Sequence, residues 1–178
     1  MTISLVRLRI VLVAVVLFAG AAAAVFTLGH ANHAGRTVTT PNAFTFTLPS
    51  NWHELTPAEL KKLSKPAVAA YARNDGTALV TIRQEGAAPV ISADFVQSLD
   101  QRFRSKLSDY VPVSARVITT KAGGAFFFSY VRQKLGTLDT IVLVPAGAHS
   151  YVLDSVSNPG SLAATHDVGQ IINTFDPR

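Results

Sequence analysis

His149, Ser150 and Asp154 are the side chains in this sequence best suited by type to nucleophilic catalysis: a hydroxyl to attack, an imidazole to take its proton and a carboxylate to orient the imidazole. Their spacing argues against it. His149 and Ser150 are adjacent at the start of an expected strand, and neither Ser150 nor Ser155 sits in a Gly-x-Ser-x-Gly elbow. Triads also assemble from distant segments, so a hydrolase whose site is invisible in sequence stands as the rival reading. His30 and His33 lie three apart, but with no third ligand nearby they read as solvated. His53, beside Trp52, is expected to edge the core, and His166 to lie on a helix surface. The eleven acidic residues are scattered singly, and no loop alternates them as an oxygen-ligand metal site requires. Gly123-Gly124 is too short to cradle a phosphate and reads as a hairpin turn. The sequence therefore assigns no catalytic, cofactor-binding or metal-binding residue.

Charge gives a second kind of candidate. Lys61, Lys62 and Lys65 cluster on one expected helix, and Arg102, Arg104 and Lys106 on another. Near a helix C-terminus such cations suit the helix dipole and read first as a solvated face. Their sharper reading is contact with anionic headgroups or wall polymers, for which Arg102, Arg104 and Lys106 are the candidate residues. The formal charge of +5 includes Arg7 and Arg9, which precede a long apolar run, so the rest of the chain is only mildly basic. With no aromatic-basic motif, nucleic acid is not an expected partner.

The elements behind these residues begin with that run, Ile10 to Leu28, which holds no charged side chain. As a helix it spans about 28 Å, close to the hydrocarbon thickness of a bilayer. Arg7 and Arg9 hold the N-terminus in the cytoplasm and send the remainder across the membrane. Ala22-x-Ala24 offers a cleavage site for a secretory signal, but the run continues through Val25, Phe26 and Leu28, and this length favours an uncleaved anchor. The chain lacks cysteine, which removes disulfides, thiolate metal sites and a lipidation site. The expected division is an N-terminal membrane anchor or signal peptide over residues 1–29, a flexible linker over 30–42, and an extracytoplasmic domain over 43–178.

Within that domain Phe44, Phe46 and Leu48 alternate with Thr45 and Thr47, as in a strand buried on one face. Thr56-Pro57-Ala58-Glu59 predicts a capped helix running to about Lys65, stopped by Pro66. Trp52 is expected to cover the sheet edge near that helix. Val68 to Arg73 and Leu79 to Gln84 flank the hairpin signal Asn74-Asp75-Gly76-Thr77. Ser92 can cap a long middle helix with Phe95, Leu99, Phe103 and Leu107 on its buried stripe, which sends Arg102, Arg104 and Lys106 toward solvent. Strands follow at Ala115–Thr120, Ala125–Gln133, Leu138–Val144 and Tyr151–Ser157, joined by turns short enough to force antiparallel neighbours. Phe126, Phe128 and Tyr130 fall on one face and Phe127 on the other, so both faces of that strand should be covered. Ser161 can cap a last helix that buries Val168, Ile171, Ile172 and Phe175. The fold class is α+β, one antiparallel sheet packed with helices.

This pattern resembles the PsbP-like fold, and within it the small exported actinobacterial proteins of the LpqN type. The likeness is carried by the opening Phe44-Thr45-Phe46-Thr47-Leu48-Pro49-Ser50-Asn51-Trp52, the long middle helix, the strands through Tyr151-Val152-Leu153 and the closing helix through Ile171 to Phe175. It implies an α/β/α sandwich with an accessory binding role and no catalysis. Together with the anchor it gives the expected function, a non-catalytic binding or assembly module of the cell envelope whose partner is a protein or an envelope polymer.

Overall fold

The computed structural model describes residues 35–40 and 43–178. The expected anchor, Arg7, Arg9, His30 and His33 lie outside the described residues. Among the described residues no helix is long and apolar enough to cross a membrane.

The chain opens with β1 (Gly35–Thr40), β2 (Phe44–Pro49) and β3 (Trp52–Glu54), then the single-turn α1 (Pro57–Leu60). A hairpin of β4 (Ala69–Arg73) and β5 (Ala78–Glu85) leads to α2 (Ala93–Lys106). Four long strands follow: β6 (Tyr110–Thr120), β7 (Gly123–Arg132), β8 (Thr137–Ala146) and β9 (His149–Ser157). The chain closes with α3 (Leu162–Thr174) and the two-residue β10 (Asp176–Pro177).

Local signals set these boundaries as expected. Thr56 and Glu59 form a reciprocal capping box: the Thr56 amide donates to Glu59 Oε2 at 2.8 Å, and the Glu59 amide to Thr56 Oγ1 at 3.4 Å. Ser92 and Ser161 cap α2 and α3 through the amides of Phe95 and Ala164. Gly76 takes φ of 72° in the β4–β5 turn, where a side chain would be strained.

There are two antiparallel sheets rather than the one expected. The larger runs β3-β4-β5-β9-β8-β7-β6, and the smaller β1-β2-β10. The smaller sheet corrects the reading of residues 30–42 as linker: Gly35–Thr40 is a strand paired along its whole length with β2, Val38 opposite Phe46. Its threonines and one valine suit a strand, and Val38 is buried. Phe44, Phe46 and Leu48 do enter the core, but Thr45 is buried too, because β2 is central in its small sheet.

The inner face of the large sheet, the small sheet and α3 share the main core. Val80, Ile82, Phe127, Val142, Tyr151 and Leu153 meet Phe44, Phe46, Ile171, Ile172 and Phe175 there. The outer face carries Phe126, Phe128 and Tyr130, packed under the α2 stripe of Phe95, Leu99, Phe103 and Leu107. The β7 strand is thus covered on both faces, as its alternation predicts. Two boundaries differ from expectation. Helix α1 stops at Leu60, and residues 61–65 continue as turns, since Ser64 and the residue before Pro66 disfavour helix. Strand β6 starts at Tyr110 rather than Ala115, because Pro112 is absorbed at a register shift on an edge strand.

Candidate ligand-binding cleft

Strand alternation sends Leu79, Thr81 and Arg83 of β5, Val152, Asp154 and Val156 of β9, and Asp139 and Ile141 of β8 to the outer face of the large sheet. Helix α2 covers this face over β7 and β8, and the turns after α1 lie over β5. Between the tips of the β4–β5 and β7–β8 hairpins a cleft of about 590 Å³ stays open. Leu79, Val156 and Leu135 form its apolar lining with Ala72, and the turn glycines Gly76 and Gly136 line it beside them. Leu135 is 64% exposed and Val156 38%, so apolar side chains stand in water there.

A smaller recess of about 140 Å³ continues from the cleft, sharing Leu79 and Val156 with it. Its far end is polar: Ser64, Lys65, Thr81 and Asp154. Lys65 Nζ stands 3.7 Å from Asp154 Oδ2, and Arg83 Nη2 stands 3.9 Å from the same oxygen. Arg83 also donates to Glu85 at 2.8 Å. Further along the face, the buried Asp139 accepts from Thr137 Oγ1 at 3.0 Å and lies against the Tyr130 hydroxyl. Burial pushes the Asp139 carboxyl above its ordinary range; the Thr137 and Tyr130 hydroxyls pull it down, and the charge of Asp154 adds to the rise. Burial likewise raises the Tyr130 phenol, with the neighbouring carboxylates adding to it. The arrangement offers an apolar floor with a compact set of donors and acceptors at one end.

Of the candidates read from sequence, Lys65 and Asp154 line the recess and the others lie elsewhere. Arg102, Arg104 and Lys106 are all exposed on α2, as expected from the stripe. Arg104 is engaged within the domain: its Nε donates to Asp100 at 2.7 Å, and its guanidinium lies 5.6 Å from the Tyr110 ring centroid. Lys61 and Lys62 are exposed, and of their cluster only Lys65 lines the recess. The trio His149, Ser150 and Asp154 is not brought together. His149 packs edge-on against Tyr151 on the inner side, with ring centroids 5.6 Å apart. Ser150 Oγ donates to the Gly86 carbonyl at 2.9 Å, and Asp154 sits four residues on, about 13 Å along the strand. His53 is exposed rather than at the core edge, its Nδ1 2.7 Å from Asn74 Oδ1, because β3 is an edge strand and His53 alternates away from the buried Trp52. His166 is half-buried on α3. Among the described residues no three His, Cys, Asp or Glu side chains gather as a metal site.

A buried cluster that the sequence reading missed ties β3 and the end of β4 to α3. The Trp52 indole N–H donates to Asp167 of α3 at 3.0 Å, and Arg73 Nε donates to the same carboxylate oxygen at 2.9 Å. Trp52 is buried, as expected, but against the last helix rather than the first. Asp167 itself gives a faint signal in sequence, as an acid directly preceding the buried run from Val168.

No family model and no curated protein matches this chain. Among solved structures it is similar to cyanobacterial PsbP (CyanoP) from Synechocystis sp. PCC 6803, with 9% identity over 84% of this chain and 96% of that one, at a TM-score of 0.58. Looser likenesses are to a Pseudomonas aeruginosa protein of unknown function (15% identity, 72% of this chain and 86% of that one, TM-score 0.39) and to a Bacteroides thetaiotaomicron structure (15% identity, 81% and 48%, TM-score 0.42). At these identities the first likeness shows the fold, and the fold is PsbP-like.

Proposed function

We propose that this chain is a non-catalytic binding module of the cell envelope, anchored by residues 10–28 with its PsbP-like domain outside the cytoplasm. Within that fold the proposed kinship is with small exported proteins of the LpqN type. The observation that carries the binding role is the cleft between the two hairpin tips. Its volume of about 590 Å³ falls in the size class of small-ligand sites, roughly 300–1,000 Å³. Leu79, Leu135 and Val156 suit an apolar chain. The recess ends in a matched cation and anion, Lys65 and Asp154, with Thr81 beside them. That end suits a neutral or zwitterionic group offering both donors and acceptors. The occupant is therefore an envelope component with an apolar chain and a hydrogen-bonding polar end. The rival reading, a hydrolase, loses support from the separation of His149, Ser150 and Asp154.

A photoreactive side chain placed at Leu135 or Val156 in intact cells tests this. It should yield a small apolar adduct, identified by mass. The same side chain at Val90, 85% exposed in the loop between β5 and α2, should not. Equal labelling from Val90 and the cleft positions would overturn the proposal. A second reading, contact of α2 with an anionic surface, rests on the exposure of Arg102, Arg104 and Lys106.

A further inference from the structure

We infer that β6 is a pairing edge for a second copy of this chain, joined antiparallel through residues 114–120 about a two-fold axis at Val117. The two edges of the large sheet differ sharply. At one end stands β3, three residues long; at the other stands β6, eleven residues long. Exposed edges of that length are templates for another strand, and proteins blunt them with prolines, bulges or charges. Here the blunting stops halfway. Pro112 and the register shift between Pro112 and Ser114 interrupt the first half. From Ser114 to Thr120 the register with β7 is regular, with one cation and no acid.

The outward backbone groups of that second half have no backbone partner among the described residues. The contacts that close the strand lie at its ends, Tyr110 N to Leu107 O at 3.2 Å and Lys121 N to Asn173 O at 3.0 Å. Ala115, Arg116 and Val117 are exposed in succession. Val117, paired with Phe126 on the outer face, is 66% exposed.

The strand's own sequence selects a second copy as occupant. In an antiparallel pair, opposed residues share a face, so a symmetric pairing must centre on a single residue. Centring on Arg116 would set two guanidinium groups directly opposite, which is destabilising. Centring on Val117 sets valine against valine and Ala115 against Thr119 on the outer face. On the inner face it sets Arg116 against Ile118. That register covers the exposed valine of both copies. Arg116 does not obstruct it, since its guanidinium lies 5.5 Å from the Phe127 ring centroid, over its own sheet. Seven residues from each chain bury less than the roughly 1,200–2,000 Å² of a standard interface, so pairing should need high local concentration.

The absence of native cysteine makes the test direct. Val117→Cys in the full chain, held in detergent or in native membranes and treated with diamide as oxidant, should shift to twice the monomer mass. Directly opposed strand residues fall within disulfide reach. Leu135→Cys, 64% exposed but outside β6, should remain monomeric under the same treatment. In unmodified protein, sedimentation at rising concentration should show a dimer that Val117→Lys abolishes while the circular dichroism spectrum is kept. Three results would overturn the inference: no product from Val117→Cys, equal products from both cysteine variants, or an adduct of Val117→Cys with a different protein. A wild-type chain that stays monomeric at every concentration would do the same.

Discussion

Trp52 ties β3 to α3, and removing it should be among the most damaging single changes in this domain. The indole is 4% exposed, and burying a ring of that size removes about 200 Å² from water. At about 25 cal/mol per Å² this gives an upper value of about 5 kcal/mol, because the unfolded chain is already partly collapsed. Truncation also leaves a cavity, and large aromatic residues cut to alanine in cores lose about 3–5 kcal/mol. The two routes agree, so Trp52→Ala should destabilise by about 3–5 kcal/mol. Trp52→Phe separates the ring from its N–H. Asp167 then keeps Arg73 but loses the indole donor at 3.0 Å, a loss of about 1.5–3 kcal/mol for a bond to a charged acceptor.

Trp52 is the sole tryptophan, so its fluorescence reports this contact in wild type, and the variants are followed by far-ultraviolet circular dichroism in urea. The midpoints should fall in the order wild type, Trp52→Phe, Trp52→Ala. Trp52→Phe combined with Asp167→Asn should lose less than the sum of the two single changes, because they share one hydrogen bond. A Trp52→Ala variant that melts within about 1 kcal/mol of wild type would refute the reasoning, and with it the burial assigned to this residue.

Three other outcomes follow, two from described residues and one from the N-terminal apolar run. Asp139 has a carboxyl raised by burial above its ordinary 3.8, so it binds its proton more tightly folded than unfolded. Its stabilising contribution is complete below the unfolded value and is lost as pH rises through the folded one. Asp139→Asn should therefore be more stable than wild type at neutral pH, with the gap closing toward pH about 4; melts in which the gap widens toward acid would contradict this. Replacing Arg102, Arg104 and Lys106 together by Gln should lower the melt only slightly, since the contact it removes, Arg104 with Asp100 and the Tyr110 ring, is made by an exposed side chain. If α2 meets an anionic surface, the same change should weaken binding to acidic liposomes as added salt does. The protein isolated from its cells should retain Met1 or Thr2 and stay with membranes after a high-salt wash, whereas a soluble product beginning near Val25 would mean a cleaved signal.

Features written by neighbouring residues were legible in the sequence. The stripe from Phe95 to Leu107, the opposed faces of Phe126 and Phe127 and the Thr56–Glu59 box each depend on a few positions along one element. Strand β1 was harder to see because its one buried apolar residue, Val38, gives no period. Its pairing is supplied by β2. The separation into two sheets was likewise unreadable, since the alternation of Phe44, Phe46 and Leu48 is the same in either sheet. The cleft belongs to no segment at all: two hairpin tips 60 residues apart in sequence make it, Gly76 on one and Gly136 on the other. Asp167 meets Trp52 across a separation of 115 residues, which no local pattern encodes.

The two residues of β10 close the small sheet onto β2, with Asp176 opposite Thr45, Pro177 opposite Phe44, and the Arg178 amide donating to the Ala43 carbonyl at 2.8 Å. Just before them, Thr174 Oγ1 accepts from the Thr47 amide, 127 residues earlier in the chain. A chain delivered from its N-terminus therefore completes β1 and β2 long before β10 and α3 exist to close them in. Until α3 emerges, Phe44 and Phe46 have no Phe175 to pack against. The small sheet is completed only when its C-terminal strand arrives, and until then β1 and β2 have only each other to pair with. Such distant closure belongs to the slow end of folding rates for domains of this size. A cut that removes only the final three residues should then slow the docking of the first strands, although it takes nothing from the large sheet.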